Sequence, residues 1–497
     1  MNRSGKLKLN TATSLLNQII ALVCGFILPR LILAEYGSSV NGLVSSITQF
    51  LGLITLCELG VGAVVQSTLY KPLADNDLLM ISKVMVSARR FFNKVGIILI
   101  AYVAVLAGLY PFSVLSEFDF LSTVLLIGAM SISYFAQYFF GISNQLLLNA
   151  DQRAYIPLTL QILTTIANTI ASVVLIRFGA SIQVVKLVSS IVFLVRPIFL
   201  FFYVKRSYKI DYSIKLLQEP ISQKWNGLAQ HLATVVQGNT PTVVLTIFST
   251  LIKVSIFNVY NLVANGLKQI LTSLTAGVQA LFGNMLAKGE KEELNSTFNT
   301  VEWFIHTIAV FVFTVAGMLI VPFVTVYTSG ISDANYVEPI FAVLLMVASA
   351  CYCLRLPYSM IVLAAGHYRQ TQKSAIVEMV ITLVIAIGSV FFFDLIGMAV
   401  AMLVAMVYRT VYYVLYLKKT IMMRSLKKFI KQVIVDFITV IAIICATFWL
   451  RLAKVSYLSW VILAVEVALI AIVVSLIINV ICYKKVILGI LKRKNRS

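Results

Sequence analysis

The chain has 497 residues, of which 60% are hydrophobic and only 12% charged, and its mean hydropathy is +0.95. This composition excludes an ordinary soluble domain, in which the charged fraction is about twice as high. It predicts a membrane protein with many crossings and little room for a soluble domain, because one span takes about 20 apolar residues.

Fourteen apolar segments long enough to span a bilayer follow one another along the chain. These runs do not alternate apolar and polar residues with period two, so we predict an all-α polytopic protein and not a barrel. Four of the segments are longer than a bilayer requires, and we expect them to tilt or project into the cytoplasm. The spans lie near residues 13–34, 40–69, 95–114, 120–148, 156–177, 182–203, 228–249, 255–286, 301–327, 337–364, 374–393, 395–416, 432–450 and 457–482, and the long ones are 40–69, 120–148, 255–286 and 337–364.

The distribution of basic residues predicts the orientation. With both termini in the cytoplasm, the inner loops and termini hold 30 of the 40 Lys and Arg residues. That asymmetry satisfies the positive-inside rule. The net charge of +21 is therefore interpreted as a topology signal that faces anionic membrane lipids. It is not a nucleic-acid footprint, because the basic residues are spread over every inner loop.

The first twelve spans contain an internal repeat. A single shift along the chain superposes several residues of the second span on the eighth, and a shift smaller by one position superposes Arg153 on Arg369. An even number of spans per copy leaves both copies in the same orientation. We therefore predict two six-helix lobes, 1–204 and 227–416, around a central cavity and joined by a cytoplasmic loop, 205–226. The pairs superposed by the first shift are Asn41 with Asn258, Gly60 with Gly277, Val61 with Val278, and Ala63 with Ala280.

The remainder of the chain lies outside the repeat. Residues 417–431 combine one apolar helical face with several lysines, and two interpretations stay open: a helix on the inner leaflet, or a solvated basic loop. Residues 432–497 are predicted to form an accessory pair, helices 13 and 14, with a basic tail.

No catalytic, metal or cofactor motif is visible. The six cysteines all fall in predicted spans, the three histidines share no ligand spacing, and there is no phosphate-binding loop of the Walker type. The predicted outer loops are short and offer no place for a large catalytic site. We therefore expect a transporter and not an enzyme, with no catalytic residue, no metal and no cofactor.

Residues 27–69, "ILPRLILAEYGSSVNGLVSSITQFLGLITLCELGVGAVVQSTL", carry a family resemblance. They resemble the opening of the Wzx-type flippases, the polysaccharide transporters of the multidrug/oligosaccharidyl-lipid/polysaccharide (MOP) superfamily. In those chains a first span ends in an Arg-containing segment, followed by an aromatic-Gly turn and a span with an acidic-x-Gly element. The corresponding residues here are Arg30, Tyr36-Gly37 and Glu58-Leu59-Gly60.

The resemblance implies a flippase that moves undecaprenyl-pyrophosphate-linked oligosaccharide repeat units from the inner to the outer leaflet of the bacterial cytoplasmic membrane, by alternating access. The exported product would be a surface polysaccharide: capsule, exopolysaccharide or O-antigen. Implied partners are the lipid-linked oligosaccharide, a polysaccharide polymerase and other export components. An ion, Na+ or H+, could provide the coupling, and the sequence does not choose between them.

Ionisable residues within the predicted spans are the candidate site residues, because such residues are costly in hydrocarbon. Arginine suits a pyrophosphate, since its planar fork binds phosphate oxygens bidentately. Each residue also has a structural interpretation, either an ion pair or a side chain that snorkels to the headgroups. In "VFLVRPIFLFF", Arg196 precedes Pro197, which favours a kink. The candidates for the substrate cavity are Arg30, Arg196, Lys268, Arg355 and Arg409, and those for coupling or ion pairing are Glu58 and Glu378.

Two other functions remain open. A peptidoglycan lipid-precursor flippase would need the same kind of site. A drug or cation antiporter of the same superfamily would favour buried carboxylates, whereas buried cations are at least as prominent here.

Overall fold

The computed structural model describes residues 3–58, 60–214, 216, 228–275 and 277–494, and all regular secondary structure in these ranges is helical. The prediction of an all-α polytopic membrane protein is confirmed. The chain divides into two compact units, Met1–Ile247 and Phe248–Ser497.

The first unit contains eight helices within its described residues. A 3-10 segment, Leu53–Glu58, follows α1, and a π-helical segment, Gln137–Gly141, separates α4 from α5. The helices are α1 (Arg3–Gly52), α2 (Val61–Asp75), α3 (Leu78–Ser113), α4 (Phe120–Ala136), α5 (Ile142–Ala150), α6 (Tyr155–Arg177), α7 (Ile182–Ser207) and α8 (Leu228–Phe248).

The second unit also contains eight helices within its described residues. They are α9 (Leu251–Leu274), α10 (Val278–Lys288), α11 (Lys291–Tyr327), α12 (Pro339–Leu354), α13 (Leu356–Ala364), α14 (Tyr368–Lys419), α15 (Leu426–Thr447) and α16 (Tyr457–Lys494).

Eleven helical segments of the described chain are long and apolar enough to cross a membrane. Two of them each contain two predicted spans. The helix α1 is broken at Gly37, whose φ of 84° is readily adopted only by glycine, and α14 is broken at Asp394. The eleven segments thus account for thirteen predicted spans. The other predicted span corresponds to α8, in which polar residues such as Gln237 and Asn239 dilute the apolar run.

The four spans that exceed the bilayer thickness are interrupted, and their tilt or projection into the cytoplasm stays a prediction. The interruptions are the 3-10 segment with Gly60 (φ 74°), the π-helical segment Gln137–Gly141, the non-helical link between α9 and α10, and Arg355 between α12 and α13. Broken helices inside a membrane protein release backbone and polar groups from the regular helix, which is tolerated where they are buried in protein or line a cavity.

The helix boundaries display the internal repeat and correct its register. The helices α2 and α10 begin at Val61 and Val278, the pair that the sequence shift superposes. The helices α5 and α13 begin at Ile142 and Leu356. The number of positions between these two residues is smaller than the shift that superposes Val61 on Val278, because α10 is shorter than α2. In the turns after α5 and α13, Gln152 and Gly366 both have positive φ. Arg153 therefore corresponds to His367, and its predicted match with Arg369 is wrong.

The helix α8 packs within the first unit. His231 Nε2 donates to the Thr55 carbonyl over 2.8 Å, and Thr246 Oγ1 donates to Ser46 Oγ over 2.7 Å. The predicted C-terminal lobe, 227–416, would include this helix, whereas the structure groups it with the preceding residues. Half of the predicted inter-lobe loop lies outside the described residues.

The segment 417–431 is not a separate helix. Residues 417–419 end α14, 420–425 form a turn, and 426–431 begin α15. The accessory helices α15 and α16 pack against each other and against α11. Asn479 of α16 accepts hydrogen bonds from Trp303 (2.7 Å) and Thr307 (3.1 Å) of α11.

Candidate functional site

The second unit brings four of the predicted site residues together, one of them at a break between helices. Arg355 lies between α12 and α13, where Pro357 near the start of α13 lacks the backbone donor of a continuous helix. Glu378 and Arg409 lie on the two halves of α14, which is interrupted at Asp394 (φ 44°, ψ −119°). This interruption allows two residues 31 positions apart to meet.

Glu378 bridges two arginines. Arg355 Nη1 donates to Glu378 Oε1 over 2.6 Å, and Arg409 Nη1 donates to Glu378 Oε2 over 2.9 Å. Arg409 also donates to the Tyr413 hydroxyl (2.8 Å), one helical turn away, and its guanidinium lies 4.9 Å from the centre of that ring. The interpretation that Arg409 and Glu378 snorkel to the headgroups is wrong, because their side chains are only 2% and 5% exposed.

Lys268 of α9 joins this group through an aromatic ring. Its ammonium lies 5.7 Å from the centre of the Tyr352 ring, and the Arg355 guanidinium lies 5.0 Å from the same centre. Both distances are within the range of a cation–π interaction. We call Lys268, Arg355, Arg409 and Glu378 the cation cluster.

The cation cluster carries a formal net charge of +2, because it contains three cations and one carboxylate. Glu378 lies within salt-bridge distance of Arg355 and Arg409, whereas Lys268 contacts the Tyr352 ring. Buried charge is unfavourable unless it is compensated. The cluster therefore has the electrostatic character of a binding site for an anion.

Arg196 occupies a different environment in the first unit. Its Nη2 donates to Gln145 Oε1 of α5 over 2.8 Å, and its Nε is buried without a hydrogen-bond partner in the described structure. The adjacent Pro197 is buried against the π-helical segment, where a Cβ on Gly141 would lie 3.1 Å from the Pro197 Cβ. Arg196 is therefore held by a neutral amide, and its charge is not neutralised by that contact.

The other two predicted site residues also lie in the first unit. Glu58 ends the 3-10 segment and accepts a hydrogen bond from the Tyr138 hydroxyl of the π-helical segment (2.7 Å). Arg30 follows Pro29 within α1 and is partly buried. A coupling or ion-pair role for Glu58 and a cavity role for Arg30 stay predictions.

The partners of these ions were missed from sequence. Tyr138 and Gln145 are far in sequence from Glu58 and Arg196, so no spacing links those pairs, whereas Tyr352 and Tyr413 lie one helical turn from Arg355 and Arg409. A buried group around His306 and Asp436 was also missed. The signal was present, because Glu302 and His306 are ionisable residues inside an apolar run.

The helix α12 also lines an apolar groove within the second unit. Tyr352 and Arg355 face the cation cluster, whereas Cys351 and Leu354 line the groove together with residues of α11 and α15. The groove has a volume of about 340 Å³ and is lined almost entirely by apolar side chains. One helix therefore contributes to a charged group and to an apolar groove.

Comparison with protein-family models and with curated protein sequences gave no match. Solved structures do resemble the chain. A structure described as the lipid II flippase MurJ in an inward closed conformation matches with a TM-score of 0.71 and 15% identity, over 96% of this chain and 99% of that chain. An inward-facing multidrug resistance MATE transporter of the MOP superfamily matches with a TM-score of 0.62 and 15% identity, over 81% and 96%. A mutant of the Vibrio cholerae MATE transporter VcmN matches with a TM-score of 0.53 and 15% identity, over 85% and 98%. The chain therefore has the fold of MurJ and of the MATE transporters of the MOP superfamily.

Proposed function

We propose that this protein is a flippase that moves undecaprenyl-pyrophosphate-linked oligosaccharides across the bacterial cytoplasmic membrane for surface polysaccharide export. The observation that carries the proposal is the cation cluster with its net charge of +2. The fold provides the second support, because the solved structures that share it are described as a flippase and as transporters.

The charge of the cation cluster suits the headgroup of such a lipid. A pyrophosphate diester carries two negative charges, and its transfer into a low-dielectric interior is unfavourable unless fixed cations replace its hydration. Guanidinium groups bind phosphate oxygens bidentately and keep their charge when buried. In the proposed mechanism, Arg355 and Lys268 contact the pyrophosphate, while Glu378 positions Arg355 and Arg409 on either side of it.

The apolar groove supports a ligand with a long hydrocarbon chain. It is lined by α11, α12 and α15 and carries one carboxylate, that of Asp436. An isoprenoid chain can occupy such a surface while the polar headgroup is held elsewhere.

A peptidoglycan lipid precursor is the second candidate substrate. The MurJ structure matches 96% of this chain, whereas the MATE structures described above match 81% and 85%. Lipid-linked oligosaccharides and peptidoglycan precursors share the pyrophosphate and the isoprenoid chain, so the cation cluster suits both. Export of a drug cation is disfavoured, because two arginines already neutralise Glu378 and the cluster would repel a cation.

Direct binding tests the headgroup assignment. The purified protein in nanodiscs is titrated with undecaprenyl-pyrophosphate-linked oligosaccharide, and bound lipid is counted by native mass spectrometry. Arg355→Ala and Lys268→Ala should each weaken binding about tenfold or more, since a hydrogen bond to a charged group contributes about 1.5–3 kcal/mol. Arg451→Ala is the matched control, because this arginine is exposed in the link after α15. Equal binding by all four proteins would refute the assignment.

Transport is tested separately in proteoliposomes. The proposed function predicts that the glycan of the lipid-linked substrate becomes accessible to an added glycosidase only when the wild-type protein is present. A preference for lipid II over other lipid-linked glycans would favour the second candidate. Movement of a cationic dye without movement of either lipid would favour a drug antiporter and contradict the proposal.

In the proposed cellular role, a polysaccharide polymerase and other export components consume the flipped lipid-linked glycan. The coupling ion, Na+ or H+, is part of the same proposal. In cells that depend on this protein, Arg196→Ala and Arg355→Ala should trap the precursor in the inner leaflet without lowering protein abundance. Normal export in both variants would contradict a cavity role for these arginines.

A further inference from the structure

A second group of buried ionisable residues lies away from the cation cluster and joins four elements of the second unit. It contains Glu302 and His306 of α11, Tyr358 of α13, Arg424 of the turn after α14, and Asp436 of α15. His306 and Tyr358 are each only 1% exposed, and Glu302 is 3% exposed. We call these five residues the α15 network.

Hydrogen bonds connect the α15 network from end to end. His306 Nδ1 lies 2.6 Å from Asp436 Oδ2, and His306 Nε2 lies 3.4 Å from the Tyr358 hydroxyl oxygen. That hydroxyl in turn donates to Glu302 Oε1 over 2.5 Å. Arg424 donates to both oxygens of Glu302, from Nη1 over 2.6 Å and from Nη2 by a shorter contact.

The direction of these hydrogen bonds indicates where the protons are. An ionised carboxylate can only accept, so Asp436 requires a proton on His306 Nδ1. Tyr358 has a single hydroxyl proton, which it gives to Glu302, so its oxygen can only accept from His306 Nε2. This arrangement of donors and acceptors is satisfied when both ring nitrogens carry protons.

The charge balance independently favours one additional proton in the α15 network. Glu302, Asp436 and Arg424 together carry a net charge of −1, which one additional proton brings to zero. Since an uncompensated buried charge is unfavourable, the neutral sum favours the state that holds the proton. A proton on Asp436 instead of His306 would give the same sum.

The surrounding groups leave this balance unchanged. Gln432 donates to Asp436 Oδ1 over 3.0 Å, and Asn299 accepts from Arg424 over 3.3 Å. The Tyr483 hydroxyl of α16 is buried within electrostatic range of Asp436, Glu302 and Arg424. Lys431 is exposed and donates to the Cys482 carbonyl over 3.2 Å. Of these four side chains, only the exposed Lys431 carries a charge.

We propose that the α15 network is a proton-binding site in which His306 and Asp436 together hold one proton and fix α15 to α11. A cavity of about 10 Å³, space for about one water molecule, adjoins Tyr358 and Arg424 at the turn between α14 and α15. Loss of the proton leaves a net charge of −1 between α11 and α15 and weakens their packing. The proposal concerns proton binding and does not depend on the identity of the transported substrate.

Nitrogen NMR tests the protonation directly, because the chain contains only three histidines. The protein is labelled with ¹⁵N-histidine, and the His306 signal is assigned by its loss in His306→Gln. At pH 7.5, where an unperturbed histidine is mostly neutral, His306 should show the shifts of an imidazolium, and in Asp436→Asn it should become neutral. A neutral His306 ring beside an ionised Asp436 carboxylate in the wild type, the latter read from its ¹³C shift, or an imidazolium that persists in Asp436→Asn, would overturn the proposal.

Stability provides a readout that does not depend on the assignment of signals. His306→Gln removes the proton carrier and leaves a net charge of −1, whereas Asp436→Asn leaves a neutral group. His306→Gln should therefore unfold at the lower denaturant concentration, and the double variant should recover part of the loss. If Asp436→Asn is the more damaging change, or if the double variant shows only the sum of the two losses, the charge balance is wrong. If His306→Gln does not fold, the NMR measurement on Asp436→Asn still decides the matter.

Discussion

Glu378→Gln is the most informative perturbation of the cation cluster. Glutamine keeps the size of the side chain but removes its charge, so Arg355 and Arg409 lose the carboxylate that lies 2.6 Å and 2.9 Å from their guanidinium nitrogens. Only the amide oxygen can accept a hydrogen bond, and the amide NH2 group then faces one guanidinium as a second donor. The net charge of the cluster rises from +2 to +3.

The burial of the three side chains sets the magnitude. Arg409, Glu378 and Arg355 are 2%, 5% and 12% exposed, so water compensates little for the lost carboxylate. Removal of one partner from a buried ion pair costs about 3–5 kcal/mol. We expect Glu378→Gln to lower the free energy of unfolding by about that amount. Binding of an anionic lipid should not fall in molecules that remain folded, because the positive charge is retained.

The free energy of unfolding is measured by titration with sodium dodecyl sulfate in bicelles. Glu338→Gln is the matched control, because Glu338 pairs with Lys253 over 2.9 Å but both side chains are 27–31% exposed. Its expected cost is about 0–1 kcal/mol. In the double variant with Arg409→Gln, the second substitution should cost much less than it does alone, since Arg409 has already lost its carboxylate. Equal losses for Glu378→Gln and Glu338→Gln would refute the argument from burial.

Three further predictions concern packing and polar contacts. Gly397→Ala should destabilise the protein by about 1–3 kcal/mol, because a Cβ there would lie 2.5 Å from the Ser389 carbonyl oxygen. Gly388→Ala is the control and should not destabilise the protein, because the space around its Cβ is open. Equal effects of the two substitutions in the same detergent titration would contradict the packing argument. Tyr138→Phe should cost about 1.5–3 kcal/mol through loss of the hydrogen bond to Glu58, and an unchanged unfolding curve would show that the bond contributes nothing. Gln145→Ala should destabilise the protein because it leaves Arg196 without the described acceptor at 2.8 Å. In a double-mutant cycle, Gln145→Ala should cost less when it is made in the Arg196→Met variant than in the wild type. Additive losses would exclude coupling of the two side chains.

The local sequence was sufficient to predict the helical class and most of the span positions. Each span needs about 20 apolar residues, whatever its neighbours are, so composition alone indicates it. The start of α10 was also predictable, because the shift that superposes Val61 on Val278 is a property of the sequence. The register after α10 was not, because the shortening of that helix appears only in the helix boundaries.

The breaks in the helices were decided by tertiary structure. Glu58, Tyr138 and Arg355 lie at or within interruptions of runs that are almost uniformly apolar in sequence. Hydropathy averages over such positions, so it predicted long continuous spans. The broken helices bring the polar side chains to neighbouring elements where they can be paired.

The sequence by itself determined that this protein is a helical membrane protein with costly charges inside its spans, because both properties follow from the chemistry of single residues. Only the tertiary structure decided which charges meet. Glu378 is 31 positions from Arg409, and His306 is 130 positions from Asp436. An ion pair depends on distances of a few ångströms between atoms that the chain order does not relate. The protonation proposed for the α15 network follows from those distances.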